Sequence, residues 1–173
     1  YSEGENVATA NTMLLLSRLY AYSSDKFFKL LKSEYFLDSF EPEIIFDLQA
    51  RSASSVPDAT ITQDSYKIVV ETKLSNQFNE DQLLRHLNAF NDEKHKVLLT
   101  ISPVSMSETI KSSFNSKLEK YNQTQTYPII LINTTFENLA NAINELLDPR
   151  DYEMQDVLED YLDYCRTDKL IPE

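Results

Sequence analysis

Pro57-Asp58-Ala59-Thr60-Ile61-Thr62-Gln63-Asp64-Ser65-Tyr66-Lys67-Ile68-Val69-Val70-Glu71-Thr72-Lys73 is the stretch from which the fold of this chain is read. Two β-rich runs, 57–62 and 66–74, flank the short polar segment Gln63-Asp64-Ser65. That is the pattern of an antiparallel hairpin. Side chains alternate across a strand, so Val69, Glu71 and Lys73 share one face and Ile68, Val70, Thr72 and Leu74 the other. Asp58, Thr60 and Thr62 share a face of the first strand. A two-residue loop, Asp64-Ser65, sets Gln63 opposite Tyr66 and therefore Asp58 opposite Glu71, with Cβ atoms about 5 Å apart. A three-residue loop sets Asp58 against Val70 instead, still diagonal to Glu71.

Two facing carboxylates repel, and one is driven to protonate unless a cation compensates. Carboxylate oxygens suit Mg²⁺, which takes one or two of them and keeps water and substrate phosphate at its other positions. Lys73, two residues along on the Glu71 face, is placed to orient an attacking water. Together these groups suit metal-assisted phosphodiester hydrolysis. Each half also has a plainer explanation: Glu71 and Lys73 as a solvated ion pair, and Pro57-Asp58 as a turn.

Outward from the hairpin, hydrophobic spacing predicts helices over 5–20, with Met13, Leu16, Leu19 and Tyr20 on one face, and over 25–34. Ile44 to Gln49 reads as a strand after Pro42, followed by a polar break at 52–55. A helix over 80–90, a strand over 96–101, a helix near 105–121, a strand over 127–132 and a helix over 135–147 follow. Beyond Pro149, the residues Met154, Val157, Leu158, Tyr161, Leu162 and Cys165 recur at helical spacing, with acids on the outer face. This last helix closes the core of its own domain or meets a partner. The order of elements predicts an α/β domain with a mixed central sheet over 1–147, and an acidic amphipathic helix over 148–173.

Pro57-Asp58 followed by Glu71-Thr72-Lys73 resembles the signature of the PD-(D/E)xK nuclease superfamily, which has the restriction-endonuclease-like fold. The element order over residues 5–101 is similar to that family's α-β-β-β-α-β core, here with an extra C-terminal strand and helices. The resemblance implies Asp58 and Glu71 as ligands of Mg²⁺ or Mn²⁺, with the Thr72 carbonyl as a third. It implies Lys73 as the catalytic lysine, with Glu5 and Gln82 in support. Gln82 and His86 fit the family's glutamine followed four residues later by an aromatic or histidine. Arg51, Arg85 and His86 are the expected nucleic-acid contacts, within a thin basic set of Arg18, Arg51, Arg85, Lys94, His95 and Lys96. The implied function is a metal-dependent nuclease, on DNA, of the kind used in restriction or phage defence. The alternative is a nuclease-like binding module acting through a protein partner. Glu5 also reads as a first-turn acid favoured by the helix dipole. Asn79 and Gln82 also read as a capping box, and His86 as an ordinary surface or half-buried helix histidine.

Composition limits the other classes. The 173 residues, 42% hydrophobic, are enough for a core without staples. A single glycine excludes phosphate-cradling loops and dinucleotide fingerprints. The lone Cys165 forms no internal disulfide and fits a reducing, cytoplasmic setting. Two histidines, His86 and His95, make poor material for a zinc centre. No Gly-x-Ser-x-Gly elbow exists. The longest apolar run, Met13 to Leu16, is far short of a membrane span, and no leader with a basic then apolar stretch follows Tyr1. The net charge is −12, and residues 148–173 hold nine acids against three bases, half of that total. So acidic a chain is not expected to hold nucleic acid by its surface charge alone. The basic surface is expected from a second copy, a missing domain of a longer protein, or a partner.

Overall fold

A computed structural model of the chain describes residues 3–35, 45–48, 58–63, 66–75 and 77–172. Pro42, Ile44, Gln49, Arg51, the break at 52–55, Pro57 and the Asp64-Ser65 loop lie outside the described residues. The elements run α1 (Glu3–Tyr22), α2 (Ser24–Tyr35), β1 (Ile45–Leu48), β2 (Ala59–Gln63), β3 (Tyr66–Thr72) and α3 (Glu80–His86), which ends in a 3₁₀ turn (Leu87–Ala89). Then come β4 (His95–Ser102), α4 (Glu108–Asn122), β5 (Ile129–Thr135), α5 (Phe136–Leu146) and α6 (Tyr152–Thr167). The fold is α/β.

The five strands lie in sequence order. β1, β2 and β3 are antiparallel, while β3, β4 and β5 are parallel, so the sheet is mixed. The hairpin has the register of a two-residue loop: Gln63 pairs with Tyr66 and Ala59 with Val70. The ladder stops there, one pair short of Asp58 and Glu71.

Both faces of the central strands are covered. Ile68 and Val70 of β3, with Val97, Leu99 and Ile101 of β4, pack under α1, α2, α5 and α6. Val69 and Leu98 face the other way, into a second cluster with Leu83, Leu87, Phe114 and Leu118 from α3, its 3₁₀ turn and α4. This double burial explains why Ile68-Val69-Val70 and Val97-Leu98-Leu99 are continuous apolar runs without alternation.

Several boundaries shift for local reasons. β5 starts at Ile129 rather than 127, because Pro128 has no N–H to give to a ladder. It extends through Thr135, which caps α5 by accepting from the Asn138 N–H at 3.0 Å. α4 starts at Glu108 because the Ser107 hydroxyl accepts from Ile110 N. α1 buries Thr9 and Thr12 among its apolar residues. Thr12 Oγ1 lies 2.8 Å from the Tyr161 hydroxyl of α6.

α6 packs into the same core as α1 and α5, through buried Met154, Leu158, Tyr161 and Cys165, with Val157 and Leu162 half-buried beside them. Its start is tied down by Asp151. The Tyr22 hydroxyl and the Asp148 N–H both donate to the Asp151 carboxylate, and Lys26 Nζ sits 3.4 Å from it. The Tyr22 hydrogen bond, then that from Asp148, holds the Asp151 carboxyl below its ordinary range, and the same contact pushes Tyr22 up to about 12. Burial pushes the Cys165 thiol up to about 11. Since the thiolate is the reactive form, native protein at pH 8 is expected to resist a thiol-specific reagent and to react once denatured. Rapid labelling of the native state would contradict this burial. Among the described residues no helix is long and apolar enough to cross a membrane.

Candidate active site

The C-terminal end of β3 carries Glu71, Thr72 and then Lys73. Lys73 continues the sheet by one bond, its N–H donating to the Ile101 carbonyl of β4 at 2.9 Å. Alternation then directs Thr72 to the α1 side and Glu71 and Lys73 to the α3 side. All three residues are buried.

On the α1 side, Asp58 stands just before β2 and reaches past the end of the ladder. Its Oδ2 accepts from the Thr72 N–H at 2.8 Å and from the Thr72 hydroxyl at 3.3 Å. The N–H and C=O of a strand residue leave on the same side. The Thr72 carbonyl is therefore turned toward the side on which Asp58 lies, away from β4. The Thr72 hydroxyl also contacts the Thr9 hydroxyl, which donates to the Glu5 carbonyl at 2.8 Å, and that carbonyl lies 3.3 Å from Thr72 Oγ1 as well. This threonine pair locks the first turn of α1, and Glu5 with it, to the end of β3.

On the α3 side, Lys73 Nζ donates to Gln82 Oε1 at 2.9 Å, and lies 3.5 Å from Glu71 Oε1 and 3.9 Å from Glu5 Oε2. The other Glu71 oxygen is 2.8 Å from His86 Nε2. Glu71 and His86 are both fully buried. α3 presents Gln82 and His86 four residues apart, one turn along the same face. Asn79 caps this helix by accepting from the Gln82 N–H at 3.2 Å. The expected capping box is thus half made: the Gln82 side chain goes to Lys73.

The arrangement brings together Glu5, Asp58, Glu71, Thr72, Lys73, Gln82 and His86 from four elements. It sets two carboxylates, Glu71 and Glu5, within 4.0 Å of the Lys73 ammonium, while Asp58 is tied to Thr72. No group of three or more His, Cys, Asp or Glu side chains forms a full metal ligand set among the described residues. The oxygen donors at hand, two carboxylates and a backbone carbonyl, are hard. They suit an ion such as Mg²⁺, which keeps water or substrate oxygens at its other positions. The donor set therefore fits the implied metal.

The basic residues are arranged otherwise. His86, expected to touch nucleic acid, is wholly buried against Glu71, so it has no surface to offer a ligand. Arg85 stays on α3 as a half-buried neighbour, and Arg51 lies outside the described residues. Arg18 is 13 residues along α1 from Glu5, about 20 Å at the helical rise, in a small cavity against Asp160 of α6. Lys94, His95 and Lys96 stand at the start of β4. His95 precedes Ile101 by six strand residues, about 20 Å. All four stand at the far end of the sheet or helix from Glu71 and Lys73, which corrects the expectation that they surround the site.

Two contributors lacked a sequence signal of their own. Thr9 sits four residues after Glu5 on α1, and only its partner across the fold, Thr72, gives it a role. Asp151, read simply as one acid of the tail, is the anchor of α6. The chain matches no family model, no curated protein and no solved structure.

Proposed function

We propose that the protein is a divalent-metal-dependent nuclease of the PD-(D/E)xK type, hydrolysing phosphodiester bonds, in DNA. The observation that carries this reading is the position of Lys73 Nζ, hydrogen-bonded to Gln82 and 3.5 Å from Glu71, with Thr72, the residue between Glu71 and Lys73, held by Asp58. The element order, a helix, a three-strand antiparallel run, a helix and a parallel strand, supports a restriction-endonuclease-like core. Asp58, Glu71 and the Thr72 carbonyl are the groups that would hold Mg²⁺ or Mn²⁺. When bound, such an ion polarises phosphate oxygens and makes its water acidic near neutral pH.

The remaining work falls to the chain's own side chains. Gln82 Oε1 accepts a hydrogen bond from one of the three Lys73 N–H groups and fixes the ammonium's direction. The other protons are left to donate to a nucleophilic water or a phosphate oxygen. Glu5 sits 3.9 Å from Lys73 Nζ and forms an ion pair with it. His86 steadies the far oxygen of Glu71, so that Oε1 faces the ammonium. A preorganised donor of this kind lowers the barrier because it is already oriented when charge develops.

The test is cleavage of plasmid DNA and of single-stranded DNA and RNA, with Mg²⁺ or Mn²⁺ and with chelator. Cleavage is expected with the metals only. Calorimetry is expected to show metal binding that Asp58→Ala weakens at least tenfold. Metal-independent cleavage, or equal metal binding by the variant, would overturn the reading.

A second reading, a nuclease-like module that binds a partner, is favoured by one observation. The basic residues Arg18, Lys94, His95 and Lys96 stand away from the site, so a nucleic-acid groove would need basic surface from a second copy or another protein. Under that reading the chain binds no metal at Asp58 and cleaves nothing.

A further inference from the structure

At the opposite end of the sheet, Lys96 is one of the largest side chains to be almost wholly buried, with 2% of its surface exposed. It is the second residue of β4 and pairs with Lys67 of β3 in the parallel ladder. Alternation places Lys67 with Val69 and Lys96 with Leu98, so the two lysines start from neighbouring strands on the same face of the sheet. Lys67 Nζ is occupied by the Ala89 carbonyl at 2.6 Å. Lys96 Nζ has a single partner among the described residues, Gln125 Oε1, at 3.5 Å, the outer limit of a hydrogen bond. Lys26, Lys29, Lys73 and Lys117 each have a carboxylate within 4.0 Å. Lys96 has none among the described residues.

An ammonium group carries three donors and is costly to bury without acceptors. Lys96 borders a cavity of about 370 Å³, walled by Asn91, Asp92, Thr124, Gln125 and Tyr127. The walls are hydroxyls, amides and one exposed tyrosine ring. Asp92 adds a single negative charge. Lys96 is the one cationic side chain of the lining and balances Asp92, so an oxyanion would be drawn by the Lys96 donors that lack acceptors rather than by a surplus of charge.

We propose that this cavity is a phosphate-binding site, in which Lys96 Nζ donates to the oxygens of a phosphate group and Gln125 and Thr124 complete the contacts. Tyr127 at the mouth offers a face on which a nucleobase can stack, so the phosphate is that of a nucleotide, free or within a strand. The site lies away from Asp58, Glu71 and Lys73 and does not depend on their being catalytic.

The experiment is thermal unfolding and calorimetry of the intact chain in chloride buffers of matched ionic strength. The probes are inorganic phosphate, thymidine 5′-monophosphate and a short oligothymidylate. Binding is expected to fall at least tenfold in Lys96→Met. Gln125→Glu places a carboxylate beside the ammonium and is expected to abolish binding while raising the melting temperature. It also serves if Lys96→Met does not fold. Asp92→Asn is expected to tighten binding several-fold. Monophosphate binding as tight as the oligomer's assigns the pocket to a free nucleotide, and oligomer binding alone assigns it to a strand. Binding of all three probes unchanged by Gln125→Glu, or binding of none of them by the native chain, would overturn the proposal.

Discussion

Replacing Lys73 by alanine is expected to lower phosphodiester cleavage by at least about 10²-fold, the usual worth of a positioned proton donor or acceptor. The side chain contributes no metal ligand, so metal binding should survive. It also offsets the charges of Glu5 and Glu71, which lie 3.9 Å and 3.5 Å from its Nζ. Removing one member of a buried charge cluster costs about 3–5 kcal/mol, so the variant should melt earlier. Added Mg²⁺ should then raise its melting temperature more than it raises that of the parent, because a competing cation has gone. Lys73→Arg is expected to stay inactive, since a planar fork does not replace a compact ammonium hydrogen-bonded to Gln82. Activity within a few-fold of the parent in either variant would reduce Lys73 to an ion-pair partner.

Truncation after Leu147 is expected to leave a chain that does not fold stably. Met154, Leu158, Tyr161 and Cys165 are buried, and so are Leu170 and Ile171 beyond the helix. At about 1.5–3 kcal/mol per fully buried side chain, four of them alone approach the 5–15 kcal/mol that holds a typical domain together. The Tyr161–Thr12 hydrogen bond and the Asp151 anchor are lost as well. A truncated chain with an unchanged melting temperature, and with nucleic-acid affinity much increased at low salt, would mean that the acids of α6 lie over the substrate groove instead.

Much of this architecture was legible in residues 57–73. Gln63 and Tyr66 pair as a two-residue loop requires, and Glu71 and Lys73 share a face as strand alternation dictates. The meeting of Lys73 with Gln82 came with the resemblance rather than from spacing, because the separation of β3 and α3 in space is not written in either segment. The basic residues misled for the same reason. Lys94 to Lys96 follow α3 closely in sequence, yet a parallel connection returns the chain to the start of β4, at the far end of the sheet from Lys73. His86 looked like a surface residue because its pattern on α3 is ambiguous, and only the buried Glu71 explains its burial. Thr9 and Thr72 are small polar residues whose value lies wholly in contact across 63 positions.

The wrapping of α1 by α6 has a consequence for how the chain folds as it is made. The cluster formed by β3, β4, α3, α4 and β5 closes with segments that emerge close together. The other cluster joins Leu15, Leu16 and Leu19 to Met154, Leu158 and Cys165, about 140 residues later. At roughly 5–20 residues per second of synthesis, α1 waits for several seconds or more before its last partner exists. During that wait its apolar stripe is exposed on the ribosome and is a natural client for a chaperone. Amides of β3 and β4 should therefore gain exchange protection early in translation, and those of α1 last.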